Sequence, residues 1–254
     1  MKSFVRSLAV GGCFVVTRFM GRLCGTPLIG ASFAHLSLGA AVAPLAGFYG
    51  GTVGAVGAGL FTLIIATLIH GSLSLASLAL YIPGIVGGLF FAAPLGVAPS
   101  GVNSSHTTSL GSIFSQKKSS GVKSWQETLS RFNAARVIES LFFIVCMILF
   151  WVNPVGQQAY LYPLLWLAPL VFVLINQQSL FARALVSAFA VHAVGACWWL
   201  YTMPMSAILW HGMMPLVVVE RVSQALLMVV VVKVVEKVSG LAKNRQAVAR
   251  LSIQ

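Results

Sequence analysis

Residues 180–201, LFARALVSAFAVHAVGACWWLY, are followed after the five residues TMPMS by residues 207–232, AILWHGMMPLVVVERVSQALLMVVVV. Each run is longer than the roughly 20 residues a helix needs to cross a hydrocarbon core of about 30 Å, and together they hold only Arg183, Glu220 and Arg221 as formal charges. Backbone polar groups in such a run must be satisfied within the segment itself, so runs of this length read as helices, and strands are excluded for them. The same argument places helices at 52–70, 73–93, 134–152 and 158–175. Two less regular segments, 4–23 and 27–48, bring the expectation to an all-α polytopic transmembrane bundle of about six to eight membrane segments. Pro27, Pro44 and the surrounding glycines predict that 27–48 is broken or re-entrant.

Composition agrees with a lipid environment. The 254 residues are 58% apolar and 8% charged, against roughly 45–50% and 25% for an ordinary soluble domain. The net charge of +12 does not form one interleaved basic face of the kind that binds nucleic acid. Most of its cations fall in short stretches between apolar runs: Lys117 to Arg136, Arg183, and Lys233 to Arg250, besides Lys2 and Arg6 at the amino terminus. The loops 153–157 and 202–206 carry no charge, so the positive-inside rule puts the basic loops and the carboxyl terminus in the cytoplasm of a cell whose inner membrane holds the chain. Arg18 and Arg22 do not fit that alternation, which leaves the crossings of residues 1–51 open. The chain divides into a glycine-rich bundle at 1–98, a polar cytoplasmic linker at 99–130, a four-helix bundle at 131–238 and a basic tail at 239–254.

Small residues recur every four positions at Gly47, Gly51, Ala55 and Gly59, with Gly50, Gly54 and Ala58 on the neighbouring ridge. Such spacing lets helix backbones approach closely in lipid. It predicts either internal packing or a docking face for a partner subunit. Gly84 and Gly88, just after Pro83, form a shorter pair of the same kind.

Ionisable groups deep in a bilayer are costly and usually face a cavity or a partner. His192 lies about ten residues inside its span and Glu220 about thirteen inside the next, so both sit about 15–20 Å below the loop that joins them. A His192–Glu220 pair or shared ligand is therefore expected to be within reach. Glu220, Ser223 and Gln224 share one helical face, with Arg221 turned about 100° away towards Trp210, Met214 and Val217. Trp198, Trp199, Tyr201 and Trp210 read either as an interfacial aromatic belt or, through the stripe His192–Gly195–Trp199, as the wall of a ligand pocket. The expected ligand-binding set is His192, Trp198, Trp199, Glu220 and Gln224.

No P-loop, H-E-x-x-H or G-x-S-x-G occurs, and Glu127, Glu139, Glu220 and Glu236 are the four carboxylates of the whole chain. Cys13, Cys24, Cys146 and Cys197 form no C-x-x-C pair. A non-enzymatic protein with no metal and no cofactor is expected.

The run LGAAVAPLAGFYGG at 38–51, and the run HAVGACWWLYT at 192–202, resemble the membrane-embedded substrate-binding (S) components of energy-coupling factor (ECF) vitamin transporters. The resemblance covers about a third of the chain. It implies a subunit that binds a vitamin-like small organic solute from outside, with a transmembrane coupling subunit and separate ATPases as partners. That family's first helix usually carries A-x-x-x-A, where this chain has Ala9 with Cys13 and Ser7 with Gly11. A proton-coupled solute carrier, and a structural or assembly protein without a ligand, stand as alternatives from other classes.

Overall fold

The computed structural model describes residues 26–28, 31–36, 42–70, 75–92, 121–175 and 179–251. The expected segment 4–23 and most of the linker lie outside them. In the described residues the chain is helical except for an antiparallel hairpin of β1 (Thr26–Leu28) and β2 (Ala31–Leu36), in which Pro27 faces His35. The hairpin departs from the all-α expectation in the first part of 27–48. The helices are α1 (Val42–His70), α2 (Leu75–Ala92), α3 (Gly121–Val152), α4 (Pro154–Gln158), α5 (Leu167–Ile175), α6 (Leu180–Thr202) and α7 (Ala207–Leu251), with a 3-10 turn at Tyr162–Trp166 before α5. Among the described residues four stretches are long and apolar enough to cross a membrane: Ala43–Ile65, Ala134–Val152, Leu180–Thr202 and Ala207–Gly240. Tyr81–Ala92 and Tyr162–Ile175 are shorter apolar helices.

The first of these stretches is interrupted. Gly51 has φ 63° and ψ −158°, outside helical space and in a region that a Cβ disfavours. Its effect can be read from the neighbours of Gly88. A Cβ built there would lie 2.8 Å from the Ala55 Cβ and 3.6 Å from the Ala43 carbonyl oxygen. In a straight helix those two residues would be about 18 Å apart along the axis. The chain therefore folds back at Gly51. Residues 42–50 run parallel to α2, with Ala43 beside Gly84 and Gly47 beside Gly88, while residues 52–70 run antiparallel to it, with Ala55 beside Gly88 and Gly59 beside Ile85. The single ridge expected through Gly47, Gly51, Ala55 and Gly59 is thus divided into two faces that clasp the same helix. Gly50 is partly buried and Gly54 buried.

On its other side α2 meets α6. The Ser187 hydroxyl donates to the Gly87 carbonyl at 2.7 Å, and a Cβ on Gly87 would run into Val191. At the end of α2 the Arg183 guanidinium donates to the Phe91 carbonyl, with the Phe48 and Phe91 rings 5.7 Å and 5.5 Å from its central carbon. A cation at a helix C-terminus meets the negative end of the dipole. These contacts tie the glycine-rich part to the C-terminal bundle and fix α2 antiparallel to α6.

In the C-terminal bundle α3 runs parallel to α6. The Cys197 thiol donates to the Cys146 carbonyl at 3.5 Å and the Tyr201 hydroxyl to the Leu149 carbonyl at 2.8 Å. Asn153 ends α3 and caps α4, its Oδ1 accepting from the Val155 amide, and Pro154 suits the first helical position. The span expected at 158–175 is accordingly shorter, since the chain turns over until Tyr162. Helix α3 begins at Gly121, inside the stretch expected to be linker, and α7 continues unbroken through the expected tail to Leu251. Given these directions, Arg136, Arg183 and Lys233 all lie towards one end of the bundle.

Enlarging Gly88 is expected to push apart two chain segments at once. Gly88→Leu should lower detergent stability by roughly 1–3 kcal/mol or prevent a monodisperse fold, whereas Gly57→Leu, with nothing within 4 Å of a Cβ, should shift the melting temperature little. Thermal unfolding of both variants followed by tryptophan fluorescence checks this.

Candidate functional site

The deep polar residues collect where α6, α7 and the 3-10 turn meet. The turn arises because Pro163 and Pro169 interrupt an otherwise apolar run, and it brings Tyr162 into the interior at 1% exposure. The Tyr162 hydroxyl is 2.9 Å from His192 Nε2 on α6. His192 thus meets Tyr162, while the hydrogen-bond partners of Glu220 are on its own helix.

Glu220 finds its cation one residue away. Arg221 donates from Nη2 to Glu220 Oε2 at 2.7 Å and from Nη1 to Gln224 Oε1 at 2.8 Å, and Gln224 Nε2 donates to Glu220 Oε1 at 3.2 Å. The three side chains close a ring on a single helix. The expectation that Arg221 would turn away from Glu220 overlooked the reach of the arginine, whose stem swings the guanidinium back across the intervening 100°. Arg221 and Gln224 are buried and the Glu220 side chain is only 15% exposed. Formal charge within the ring is zero. Glu220 and Arg221 are within electrostatic reach of Tyr162, and Arg221 of His192, so the ring and the Tyr162–His192 pair form one polar neighbourhood.

Aromatic rings border it. Phe150 stacks on Tyr162 at 5.2 Å, Trp210 meets Tyr162 edge-on at 4.7 Å and Phe150 at 5.2 Å, and Trp166 meets Phe150 at 5.8 Å. Gly156 permits the cluster to close, since a Cβ there would strike the Phe150 backbone. Trp166 Nε1, Trp210 Nε1 and Arg221 Nε are buried donors with no hydrogen-bond partner. A buried N–H without an acceptor forfeits about 1–3 kcal/mol; Arg221 Nε belongs to the polar ring itself, and the Trp210 ring packs edge-on against Tyr162.

Trp198 and Trp199 stand apart from this cluster. Trp199 is 40% exposed and Trp198 partly buried, near the end of α6. Gly195, between His192 and Trp199, borders open space. The inner aromatic positions belong instead to Tyr162, Trp166 and Trp210. The placement of Tyr162 and Trp166 is hidden in the sequence because the 3-10 turn breaks the register in which 158–175 would otherwise be read.

No group of three or more His, Cys, Asp or Glu that could hold a metal occurs among the described residues. With the helices and this interior in view, the class is that of a multi-pass helical membrane protein. No protein-family model, curated protein or solved structure matches the chain.

Removing one charge from the ring strands the other. Arg221→Met is expected to cost about 3–5 kcal/mol by leaving Glu220 without its cation, and the double variant Glu220→Gln/Arg221→Met to recover much of that loss. Melting temperatures of the two variants in the same detergent decide it.

Proposed function

We propose that the chain is the membrane-embedded solute-binding subunit of a small-molecule uptake transporter, taking a vitamin-like organic solute at the interior of its C-terminal bundle. The observation that carries this reading is the neutral Glu220–Arg221–Gln224 ring and the Tyr162–His192 pair, with the buried Arg221 Nε and Trp210 Nε1 lacking acceptors. A flat solute with carbonyl or ring-nitrogen acceptors suits both the donors and the surrounding rings. The resemblance of 38–51 and 192–202 to ECF S components supports the same reading and supplies the partners: a transmembrane coupling subunit and separate ATPases. The clustering of cations at one end of the bundle supports an orientation with that end, and the carboxyl terminus, in the cytoplasm.

A proton-coupled carrier is the second reading, favoured by the hydrogen bond of His192 to Tyr162 with Glu220 in electrostatic reach. In the first reading uptake fails when ATP is depleted; in the second it fails when a protonophore collapses the gradient.

Purified protein screened against water-soluble vitamins and nucleobases should show a raised melting temperature with at least one of them, by about 2.7 kcal/mol of added stability at a hundredfold excess over Kd. The same solute should give at least tenfold less uptake with His192→Ala. Should no solute stabilise the protein and uptake survive the substitution, the binding role is wrong.

A further inference from the structure

The seam between α3 and α6 holds two thiols. The helices run parallel, and Cys146 lies level with Cys197 as Leu149 does with Tyr201 one turn further on. The Cys197 sulfur is 3.5 Å from the Cys146 carbonyl oxygen, and so within about 6 Å of the Cys146 Cα. The two thiols are also within hydrogen-bonding reach of each other. Cys146 is buried and Cys197 partly buried, and neither is bonded to another sulfur in this structure. No group of three or more His, Cys, Asp or Glu forms around them among the described residues, so the pair is not a metal centre of that kind.

Their depth matters as much as their contact. Cys146 stands six residues before the end of α3 at Val152, and Cys197 five before the end of α6 at Thr202. Both are therefore about 8–9 Å below the charge-free loops 153–157 and 202–206, at the end of the bundle opposite Arg136, Arg183 and Lys233.

We propose that Cys146 and Cys197 are a redox modification site, closed to a disulfide in the native membrane by a disulfide donor of the compartment outside the cytoplasm. The choice of compartment rests on the orientation given under the proposed function, which puts the charge-free loops where disulfides form and persist. A cysteine sulfur can touch the main chain of a neighbouring helix only where the two backbones are close, so side-chain rotation brings the sulfurs together, without helix movement. The more accessible Cys197 thiolate attacks one sulfur of the donor disulfide and expels the other as a thiolate. The Cys146 thiolate then attacks the Cys197 sulfur of this mixed disulfide and expels the second donor sulfur. Two electrons and the two thiol protons pass to the donor, which leaves as two thiols. The bond joins the two helices that hold Tyr162, since Phe150, one turn after Cys146, stacks on its ring and His192, five residues before Cys197, meets its hydroxyl. Oxidation thus locks that wall of the interior.

The test uses the unaltered full chain. Membranes of cells that make it are denatured in acid, free thiols are blocked with N-ethylmaleimide in detergent, and the unreduced protein is cut with trypsin. Cleavage after Arg136, Arg183 and Arg221 gives fragments 137–183 and 184–221, each with one of the two cysteines and no other. The expected product is the two fragments joined, at least tenfold over either one carrying maleimide, and dithiothreitol should separate them. Fragments recovered chiefly with maleimide, or joined to a different cysteine, overturn the inference, as does a link that survives dithiothreitol. A protease-sensitive tag on the carboxyl terminus reads the orientation separately. A joined pair with the tag cleaved from outside intact cells keeps the bond and overturns the orientation, and with it the donor compartment; free thiols with the tag protected overturn the bond and leave the orientation standing.

Discussion

The absence of side chains at Gly47 and Gly88 is the constraint on which the arrangement of the first half depends. A Cβ on Gly47 would coincide with the Gly88 carbonyl, so the two backbones touch directly. Lipid offers no hydrophobic drive for helices to associate, since the tails are as apolar as leucine, and contact of this closeness supplies dispersion in its place. The same short stretch of α2 is then used three times. Gly88 receives residues 42–50 and 52–70, and Gly87, turned 100° from it, receives α6. A helix with a β-branched residue at either position would hold its neighbours too far away for Ser187 to reach the Gly87 carbonyl or for Arg183 to cap Phe91.

Much of this was legible in the residues, and what was not has physical causes. The spans at 134–152, 180–201 and 207–232 follow from run length, because lipid leaves an apolar run no alternative to a helix. Small-residue spacing flagged Gly47, Ala55, Gly59, Gly84 and Gly88, which do make the close contacts. The reversal at Gly51 was hidden for the reason that makes it possible: a glycine among many glycines gives no sign of which one adopts positive φ. At 158–175, apolar composition masks the turn imposed by Pro163. Depth counted along two helices says nothing about rotation, and the structure gives His192 to Tyr162 and Glu220 to Arg221 and Gln224. The ring of Glu220, Arg221 and Gln224 is a lesson in side-chain reach, since residues pointing 100° apart at Cβ can still meet at their tips when one of them is arginine.

The interior of the C-terminal bundle combines tight aromatic packing with unused donors. Phe150, Tyr162, Trp166 and Trp210 are all nearly inaccessible, and the rings meet mostly edge-on, as their quadrupoles favour. Rings held this way orient the indole N–H groups without satisfying them. The polar ring on α7, by contrast, is satisfied except at Arg221 Nε. The polar groups are thus shared between elements: the 3-10 turn contributes the Tyr162 hydroxyl, α6 the His192 ring and α7 the Glu220–Arg221–Gln224 ring.

That Glu220 and Arg221 are paired within one helix also bears on how the protein is made. Each charge alone would add roughly 2.5–3.5 kcal/mol to inserting the segment at mid-membrane. Neighbouring residues of one emerging helix can neutralise each other before that helix packs against any other. Biogenesis of α7 therefore does not wait for a counter-charge on an earlier segment, and the last helix can leave the translocation channel for lipid as a self-compensated unit and only afterwards find Tyr162 and His192.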